Sequence, residues 1–201
     1  MIHAVLFDMD GVLVDSFEAW ARLMNATAQH FSCPPVDRER FRSVYGQPTT
    51  EDIRAFFPGQ TVESVENFYN QHFSDYVDHV QAAPGASDVV RTLQGKGIVT
   101  ATVTNTINPL ATHILQRLGI ETGLVIGAND VPAPKPDPSM LLLACQRLGV
   151  APSESLMVGD SRYDQAAAAA AGVRFAGIGI GGDTRLKRLA DVLMLLEETE
   201  P

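Results

Sequence analysis

Basic residues are scarce in this sequence, in which 15 lysines and arginines stand against 24 aspartates and glutamates and give a net charge of -9 at pH 7. Lysine occurs only at positions 96, 135 and 187. Nucleic acids and anionic membrane surfaces are bound through clustered cations. The charge balance therefore argues against nucleic acids and membranes as partners.

Long hydrophobic runs and cysteines are also few. No apolar segment approaches the length that crosses a bilayer, and the first residues lack the basic, apolar and small-residue sections of a secretory signal. The two cysteines, Cys33 and Cys145, lie far apart in the sequence, without the spacing of a metal or redox motif. We expect both to be reduced core residues of a cytoplasmic protein.

The remaining composition is that of an ordinary globular protein. Hydrophobic residues make up 45% and charged residues 19% of the 201 positions, which is close to the globular average and suggests neither disorder nor a fibrous repeat. A chain of this length can bury a sizeable core, either as one domain with a substantial insertion or as two small domains.

The N-terminal segment places two carboxylates at the end of a hydrophobic strand. Residues 4–7 predict a buried strand, which Asp8 and Asp10 follow one residue apart, before Gly11. Such side chains point the same way beyond the carboxyl end of the strand, where open α/β sheets bind ligands. Because two carboxylates at one point repel each other, we expect a divalent cation there, and Mg²⁺ prefers such carboxylate, water and phosphate oxygens.

The next segment, residues 16–82, is predicted to be helical throughout. Ser16 is a good N-cap for a helix over 17–31, and Thr61 caps a helix with apolar residues in register to position 80. Two short helices over 37–45 and 50–57 lie between them. A helical block that follows one strand and precedes another is typical of an insertion into an α/β core.

Strand and helix patterns alternate in the rest of the chain. Strands are predicted over 98–103, 123–127, 156–160 and 173–180, with helices over 86–94, 109–118, 162–171 and up to 148. The last residues predict a short basic helix, an edge strand near 191–194 and a solvated acidic tail. The alternation predicts a parallel, doubly wound sheet with right-handed crossovers.

The segment from Asp8 to Ser16 resembles the DxDGxLxDS signature of the haloacid dehalogenase-like superfamily, in particular its phosphoglycolate-phosphatase-like branch. Three further motifs of the family follow in order along the chain: Thr104 after a strand, Lys135 among prolines, and a GDxxxD motif that starts at Gly159. The resemblance implies a Rossmann-like α/β core formed by residues 1–15 and 83–201, with an inserted all-helical cap over 16–82.

The resemblance also implies the roles of the first two aspartates. Asp8 attacks phosphorus and forms an aspartyl-phosphate. Asp10, protonated at first, donates its proton to the leaving oxygen and then deprotonates the hydrolytic water. Its backbone carbonyl binds the metal ion, so that Asp8, Asp10 and Asp160 form the predicted Mg²⁺ site.

The remaining motif residues are predicted to hold the phosphate. The Thr104 hydroxyl and the backbone N–H of Asn105 bind a phosphate oxygen, and Lys135 faces the nucleophile and the phosphate from a loop that its flanking prolines stiffen. Asp164 supports the site through a water molecule or by orienting Lys135. The alternatives are an ordinary strand threonine, a proline-rich surface loop and an aspartate that stabilises a helix N-terminus.

These assignments predict a Mg²⁺-dependent phosphatase acting on a small phosphate monoester, with phosphoglycolate as the first candidate and a sugar phosphate as the second. A phosphomutase of the β-phosphoglucomutase type shares the same core residues and is the main alternative. A non-catalytic phosphate-binding regulator would need neither Asp8 nor Asp10. Asp10 argues against a dehalogenase, and the absence of lysine from residues 16–82 argues against a phosphonatase.

Substrate selection is predicted to lie in the helical segment. The turn from Gly46 to Thr50 joins two helices with a flexible residue and polar side chains, and Gln47 and Arg54 are predicted to contact the substrate. The predicted partner is a small-molecule phosphate ester, and the predicted oligomeric state is a monomer or a homodimer.

Overall fold

The computed structural model describes residues 1–197 of the chain. It contains the strands β1 Ala4–Phe7, β2 Val14–Asp15, β3 Gln81–Ala82, β4 Val99–Val103, β5 Leu124–Ile126, β6 Ser155–Gly159, β7 Arg174–Ile178 and β8 Thr184–Leu186. Its α-helices are α1 Phe17–His30, α2 Arg38–Ser43, α3 Thr49–Phe56, α4 Val62–His72, α5 Ala86–Gly95, α6 Asn108–Arg117, α7 Ser139–Leu148, α8 Arg162–Ala171 and α9 Val192–Glu197.

Six of the strands form one parallel sheet in the order β5-β4-β1-β6-β7-β8. Strand β1 lies inside it and pairs with β4 on one side and β6 on the other. All four of its residues have no solvent exposure, which explains why this strand is apolar throughout and does not alternate. The predicted parallel α/β sheet is confirmed.

Helices cover both faces of this sheet. Val5 and Phe7 belong to a core cluster that includes residues of α1, α5 and α6, whereas Leu6 belongs to a second cluster with residues of α7 and α8. Ala167 and Ala168 of α8 are fully buried in this second cluster, where their small side chains let the helix approach the sheet closely. Residues that alternate along β1 therefore join the sheet to two separate helical layers.

The segment with helices α1 to α4 lies between two short strands that the sequence analysis missed. Strands β2 and β3 pair antiparallel, with Val14 opposite Ala82 and Asp15 opposite Gln81. The last predicted helix of this segment is shorter than expected, because α4 ends at His72 and a 3₁₀-helix, Phe73–His79, follows it. No helix among residues 1–197 is long and apolar enough to cross a membrane.

Two predictions for the C-terminal region were wrong. The predicted basic helix is strand β8, which pairs with β7, and the predicted edge strand near 191–194 is a 3₁₀-turn followed by α9. The carboxylate of Asp191 accepts hydrogen bonds from the backbone N–H groups of Lys187 and Arg188, which favours a helical turn at this point. The predicted acidic tail lies largely outside the described residues.

Candidate active site

The buried ammonium of Lys135 connects three elements of the core. Its Nζ atom donates to Asp8 Oδ1 at 2.8 Å, to Asp164 Oδ1 at 2.6 Å and to the carbonyl of Val103 at 2.7 Å. Burial lowers the pKa of Lys135, but the attraction of Asp164 and Asp8 outweighs burial and raises this pKa above its ordinary value. The ammonium therefore stays charged, and its hydrogen bond to Asp164 is the contact that the predicted orienting role of Asp164 requires.

These groups meet because parallel strands end at the same edge of the sheet. Asp8 follows β1 directly, Val103 ends β4, and the GDxxxD motif runs from the end of β6 into α8. Asp164 also closes the first turn of α8, where its Oδ2 accepts from the backbone N–H of Ser161 at 3.1 Å. The orienting role and the helix-terminal role of this aspartate thus occur together.

Carboxylates outnumber cations at this point of the structure. Single oxygens of Asp8, Asp160 and Asp164 lie within 4.8 Å of one another. Burial, and then repulsion by Asp164, raises the pKa of Asp8 well above its usual range and that of Asp160 to about 7. Both shifts indicate a site whose negative charge exceeds what Lys135 neutralises.

This donor set fits a divalent cation that prefers oxygen ligands, such as Mg²⁺. Both oxygens of Asp164 accept hydrogen bonds, from Lys135 and from Ser161, whereas Lys135 engages only one oxygen of Asp8. Asp8 and Asp160 are therefore the carboxylates best placed to bind an ion. The Asp10 carboxylate is also occupied, which leaves the backbone carbonyl named in the sequence analysis as its possible contribution.

The carboxylate of Asp10 is held by three side chains. Its Oδ1 accepts from the Ser16 hydroxyl and, at 3.1 Å, from Trp20 Nε1, and its Oδ2 accepts from the Thr106 hydroxyl at 3.1 Å. Burial raises the pKa of Asp10 above its usual value, although these hydrogen bonds oppose the shift. Ser16 is the N-cap residue of α1, as predicted, but its hydroxyl bonds to Asp10 and not to the backbone of the helix.

Sequence reasoning did not identify Trp20 and Thr106 as site residues. Thr106 lies 96 positions from Asp10, so no local pattern connects the two. The one sequence feature that could have identified Thr106 is its position two residues after Thr104 in the same loop. Trp20, the only tryptophan of the chain, was assigned to the apolar stripe of α1, and its indole nitrogen shows that the stripe also faces the site.

Thr104 and Asn105 lie in the loop after β4, facing the cavity that contains Asp8. The Thr104 hydroxyl oxygen accepts from the backbone N–H of Thr106 at 3.1 Å, so its proton remains available to a ligand. The Asn105 amide donates to the carbonyls of Gly46 and Lys135, each at 3.0 Å, and thereby joins the helical segment to the core. Its buried Oδ1 has no hydrogen-bond partner among the described residues.

Gly11 provides the space that the Asp160 carboxylate occupies. A Cβ atom at this position would lie 2.0 Å from Asp160 Oδ2, and the residue has a φ of +85°. A carboxylate can therefore approach the turn after Asp10 only when this residue has no side chain.

We expect Gly11→Ala to lower kcat/KM by about a hundredfold, because the added methyl group displaces Asp160 from the site. Gly59→Ala is the matched control, since Gly59 has a similar φ of +88° but nothing within 4 Å of the added atom. Steady-state kinetics of both variants separates displacement of Asp160 from backbone strain. Equal activities of the two variants would contradict this account.

The helical segment contributes Gln47 to the cavity but not Arg54. Gln47 lines it and donates from Nε2 to Asp52 Oδ1 at 2.8 Å. Arg54, contrary to the prediction, lies outside: its side chain is 74% exposed and pairs with Glu51. Residues two apart on an α-helix lie on nearly opposite faces, so α3 turns Asp52 inward and Arg54 outward.

Asp52 is a second buried carboxyl group that the sequence analysis missed. Its Oδ2 accepts from the Tyr69 hydroxyl at 3.2 Å, and burial raises its pKa to about 7 despite the hydrogen bonds from Gln47 and Tyr69. In the folded chain this group holds its proton more tightly than in the unfolded chain. Its contribution to the free energy of unfolding therefore falls as the pH rises from about 4 to about 7.

Asp52→Asn removes this penalty. We expect the variant to gain stability over the wild type as the pH rises. The difference in free energy of unfolding, variant minus wild type, should be larger at about pH 8 than at about pH 5 by about 1 to 3 kcal/mol. Denaturant titrations at both pH values measure this difference. Glu63→Gln, at an exposed site on α4, serves as the control and should show no such trend; a parallel shift in both variants would contradict the assignment.

This parallel α/β core thus brings buried aspartates and a lysine together at the carboxyl ends of adjacent strands, which is where enzymes with such a sheet place their active sites. The chain belongs to the haloacid dehalogenase-like hydrolase family, whose model matches residues 5–178.

Individual relatives agree with this assignment. The chain is 35% identical over 191 residues to a phosphoglycolate phosphatase of Chromobacterium violaceum, covering 90% of this chain and 86% of the relative. It is 32% identical to an N-acetylmuramic acid 6-phosphate phosphatase of Pseudomonas aeruginosa, covering 90% and 83%. A crystal structure of a haloacid dehalogenase-superfamily hydrolase from Geobacter sulfurreducens matches with a TM-score of 0.79 at 26% identity, covering 97% and 100%. The predicted enzyme class, a phosphatase that hydrolyses phosphoric monoesters, is confirmed.

Proposed function

We propose that the protein hydrolyses small phosphate monoesters in a Mg²⁺-dependent reaction with an aspartyl-phosphate intermediate on Asp8. The observation that carries this proposal is the position of Asp8. One of its oxygens is bonded to Lys135, and the residue lines a cavity together with Asp10 and Thr104. A nucleophile, an acid–base group and phosphate-binding donors therefore share one buried space.

The first half of the reaction transfers the phosphoryl group to the protein. The Thr104 hydroxyl, the Asn105 N–H and the Lys135 ammonium hold the phosphate oxygens, so that phosphorus faces the Asp8 carboxylate. An Asp8 oxygen forms a bond to phosphorus as the bond to the leaving oxygen breaks. Asp10, fixed by Trp20 and Thr106, donates its proton to that oxygen, and the alcohol departs.

The second half restores the protein. Asp10, now a carboxylate, takes a proton from a water molecule as the water oxygen bonds to phosphorus. The bond between Asp8 and phosphorus breaks, inorganic phosphate leaves, and Asp10 is again protonated. Lys135 stays bonded to Asp164 and keeps Asp8 in one orientation through both halves.

Asp8, Asp160 and the backbone carbonyl of Asp10 would hold the Mg²⁺ ion. When bound, the ion neutralises the repulsion between the aspartates and the phosphate dianion. Lys135, which forms ion pairs with Asp8 and Asp164, neutralises part of the remaining negative charge.

The candidate substrates are phosphoglycolate and a sugar phosphate, which differ in the charge of the leaving alcohol. Phosphate release from p-nitrophenyl phosphate with Mg²⁺ tests the proposal, and turnover at the background rate would contradict it. With a hexose 1-phosphate, free phosphate identifies a phosphatase and the 6-phosphate a phosphomutase. Arg54→Ala, outside the cavity, should behave as the wild type in both assays.

We further propose that residues 16–82 act as a cap that closes over the site and excludes bulk water. Both the segment 16–82 and the α/β core contribute residues that line the cavity. The Asn105 amide of the core also donates to the Gly46 carbonyl of that segment. A cytoplasmic location, which the two free cysteines favour, and a monomeric or homodimeric state complete the proposal.

A further inference from the structure

The cavity beside the loop of Thr104 and Asn105 has two acidic side chains, Asp52 and Glu66, on the side of the helical segment. This segment contributes apolar and aromatic side chains, namely Trp20, Met24, Phe41 and Tyr45, and a set of hydrogen-bonding side chains: Gln47, Thr49, Asp52, Glu66, Tyr69 and Asn70. Among the described residues that line the cavity, none is a lysine or an arginine. A leaving alcohol in this space therefore meets acidic groups and no cation.

Asp52 is anchored within this wall. It is 8% exposed, and its two oxygens accept from Gln47 Nε2 at 2.8 Å and from the Tyr69 hydroxyl at 3.2 Å. Neither contact neutralises the carboxylate, because both donors are uncharged. Glu66 lies on the same wall one helical turn before Asn70 and adds a second acid.

We propose that Asp52, assisted by Glu66, is a specificity-determining residue that restricts the substrate to phosphate monoesters whose leaving alcohol carries hydroxyl groups and no anionic group. The inference rests on the proposed phosphatase function. A second carboxylate on the substrate would lie close to Asp52 in a partly desolvated space, where like charges repel strongly. Hydroxyl groups can instead donate to these carboxylates, with the aromatic rings packing on the carbon chain.

The arginines nearest the site do not alter this conclusion. Arg42 and Arg162 line a separate groove on the Asp160 side, which shares only Tyr45 with the cavity. Arg42 also stacks at 3.8 Å from the centre of the Phe17 ring. Neither guanidinium belongs to the wall that faces the leaving group.

The test uses two matched pairs of esters, each differing by a carboxylate in place of a hydroxymethyl group. The pairs are phosphoglycolate with ethylene glycol monophosphate, and phosphoglycerate with glycerol phosphate. We expect the wild type to prefer the member without the carboxylate by at least about tenfold in kcat/KM. Asp52→Asn should narrow this preference by raising kcat/KM for the carboxylate member, and Glu66→Gln should do so to a smaller extent.

Arg54→Ala, on the outer face of the same helix, is the control and should keep the wild-type preference. Equal turnover within each pair, a preference for phosphoglycolate, or a preference unchanged in Asp52→Asn would overturn the inference. Each of these results requires measurable hydrolysis. Failure of the proposed phosphatase function would instead appear as no turnover of any ester, including p-nitrophenyl phosphate.

The pH dependence of the preference is a second readout. The groups around Asp52 are Gln47, Glu51 on its own helix, and Tyr69 and Glu66 on α4. Because burial raises the pKa of Asp52 to about 7, the preference for the ester without the carboxylate should grow from about pH 6 to about pH 8, as Asp52 loses its proton. Because both esters of a pair carry a phosphate group, the ratio of their kcat/KM values does not depend on titration of that group. Asp52→Asn should lose most of this rise, and a rise in the variant as steep as in the wild type would contradict the assignment.

Discussion

Asp8→Asn should lower kcat by at least about a thousandfold. An amide is a far poorer nucleophile than a carboxylate, and the variant has nearly the same shape. Lys135 can still donate to the remaining oxygen at this position, where the wild-type distance is 2.8 Å. We therefore expect loss of chemistry without loss of the fold, measured as phosphate release alongside a thermal unfolding curve.

Rapid quenching of the wild type during turnover should trap a phosphoryl group on Asp8, identified by peptide mass spectrometry. Asp88→Asn is the matched control, since this carboxylate is exposed on α5 and pairs only with Arg91 among the contacts described for it. It should retain wild-type kinetics. Turnover of purified Asp8→Asn near the wild-type rate would rule out the nucleophilic role.

Removal of Mg²⁺ should have an effect of similar size. Asp8, Asp10, Asp160 and Asp164 lie around one ammonium, and a phosphate dianion adds further negative charge to this buried space. Without a divalent cation this repulsion is not compensated, so an excess of chelator should reduce activity to background. Phosphate release measured before and after chelation tests this expectation.

Asp160→Ala should raise the Mg²⁺ concentration needed for half-maximal activity by more than about tenfold. Added Mg²⁺ must restore the chelated wild type, which separates metal loss from damage to the protein. Full activity of the wild type in excess chelator would refute the assignment of the metal site. An unchanged Mg²⁺ requirement in Asp160→Ala would remove Asp160 from it.

The local errors in the sequence analysis have physical causes that can be named. Strand β8 and helix α9 were predicted wrongly because segments of three and six residues are too short to distinguish a period of 2 from one of 3.6. The pairing of β2 with β3 was missed because two-residue strands have no periodicity at all. Arg54 was assigned to the substrate by its charge and its proximity to Gln47 in the sequence, although the rotation of α3 turns it outward.

The sequence by itself determined the sheet and the positions of the chemical groups on it. A buried strand needs a continuous apolar run, and carboxylates at its end are recognisable without any tertiary contact, as Asp8 and Asp160 illustrate. The alternation of strands and helices then leaves a parallel sheet as the expected arrangement. Its parallel strands bring these carboxylates to one edge.

Only the tertiary structure decided which groups touch. Lys135 bonds to Asp8 across 127 positions of the chain, and Asp10 bonds to Thr106 across 96. In the sequence, Asp52 is an ordinary polar residue of a short helix. It is buried beside Tyr69 because α3 packs against α4. Side-chain contacts between distant segments depend on how whole helices rotate and pack, and no local pattern of residues encodes that rotation.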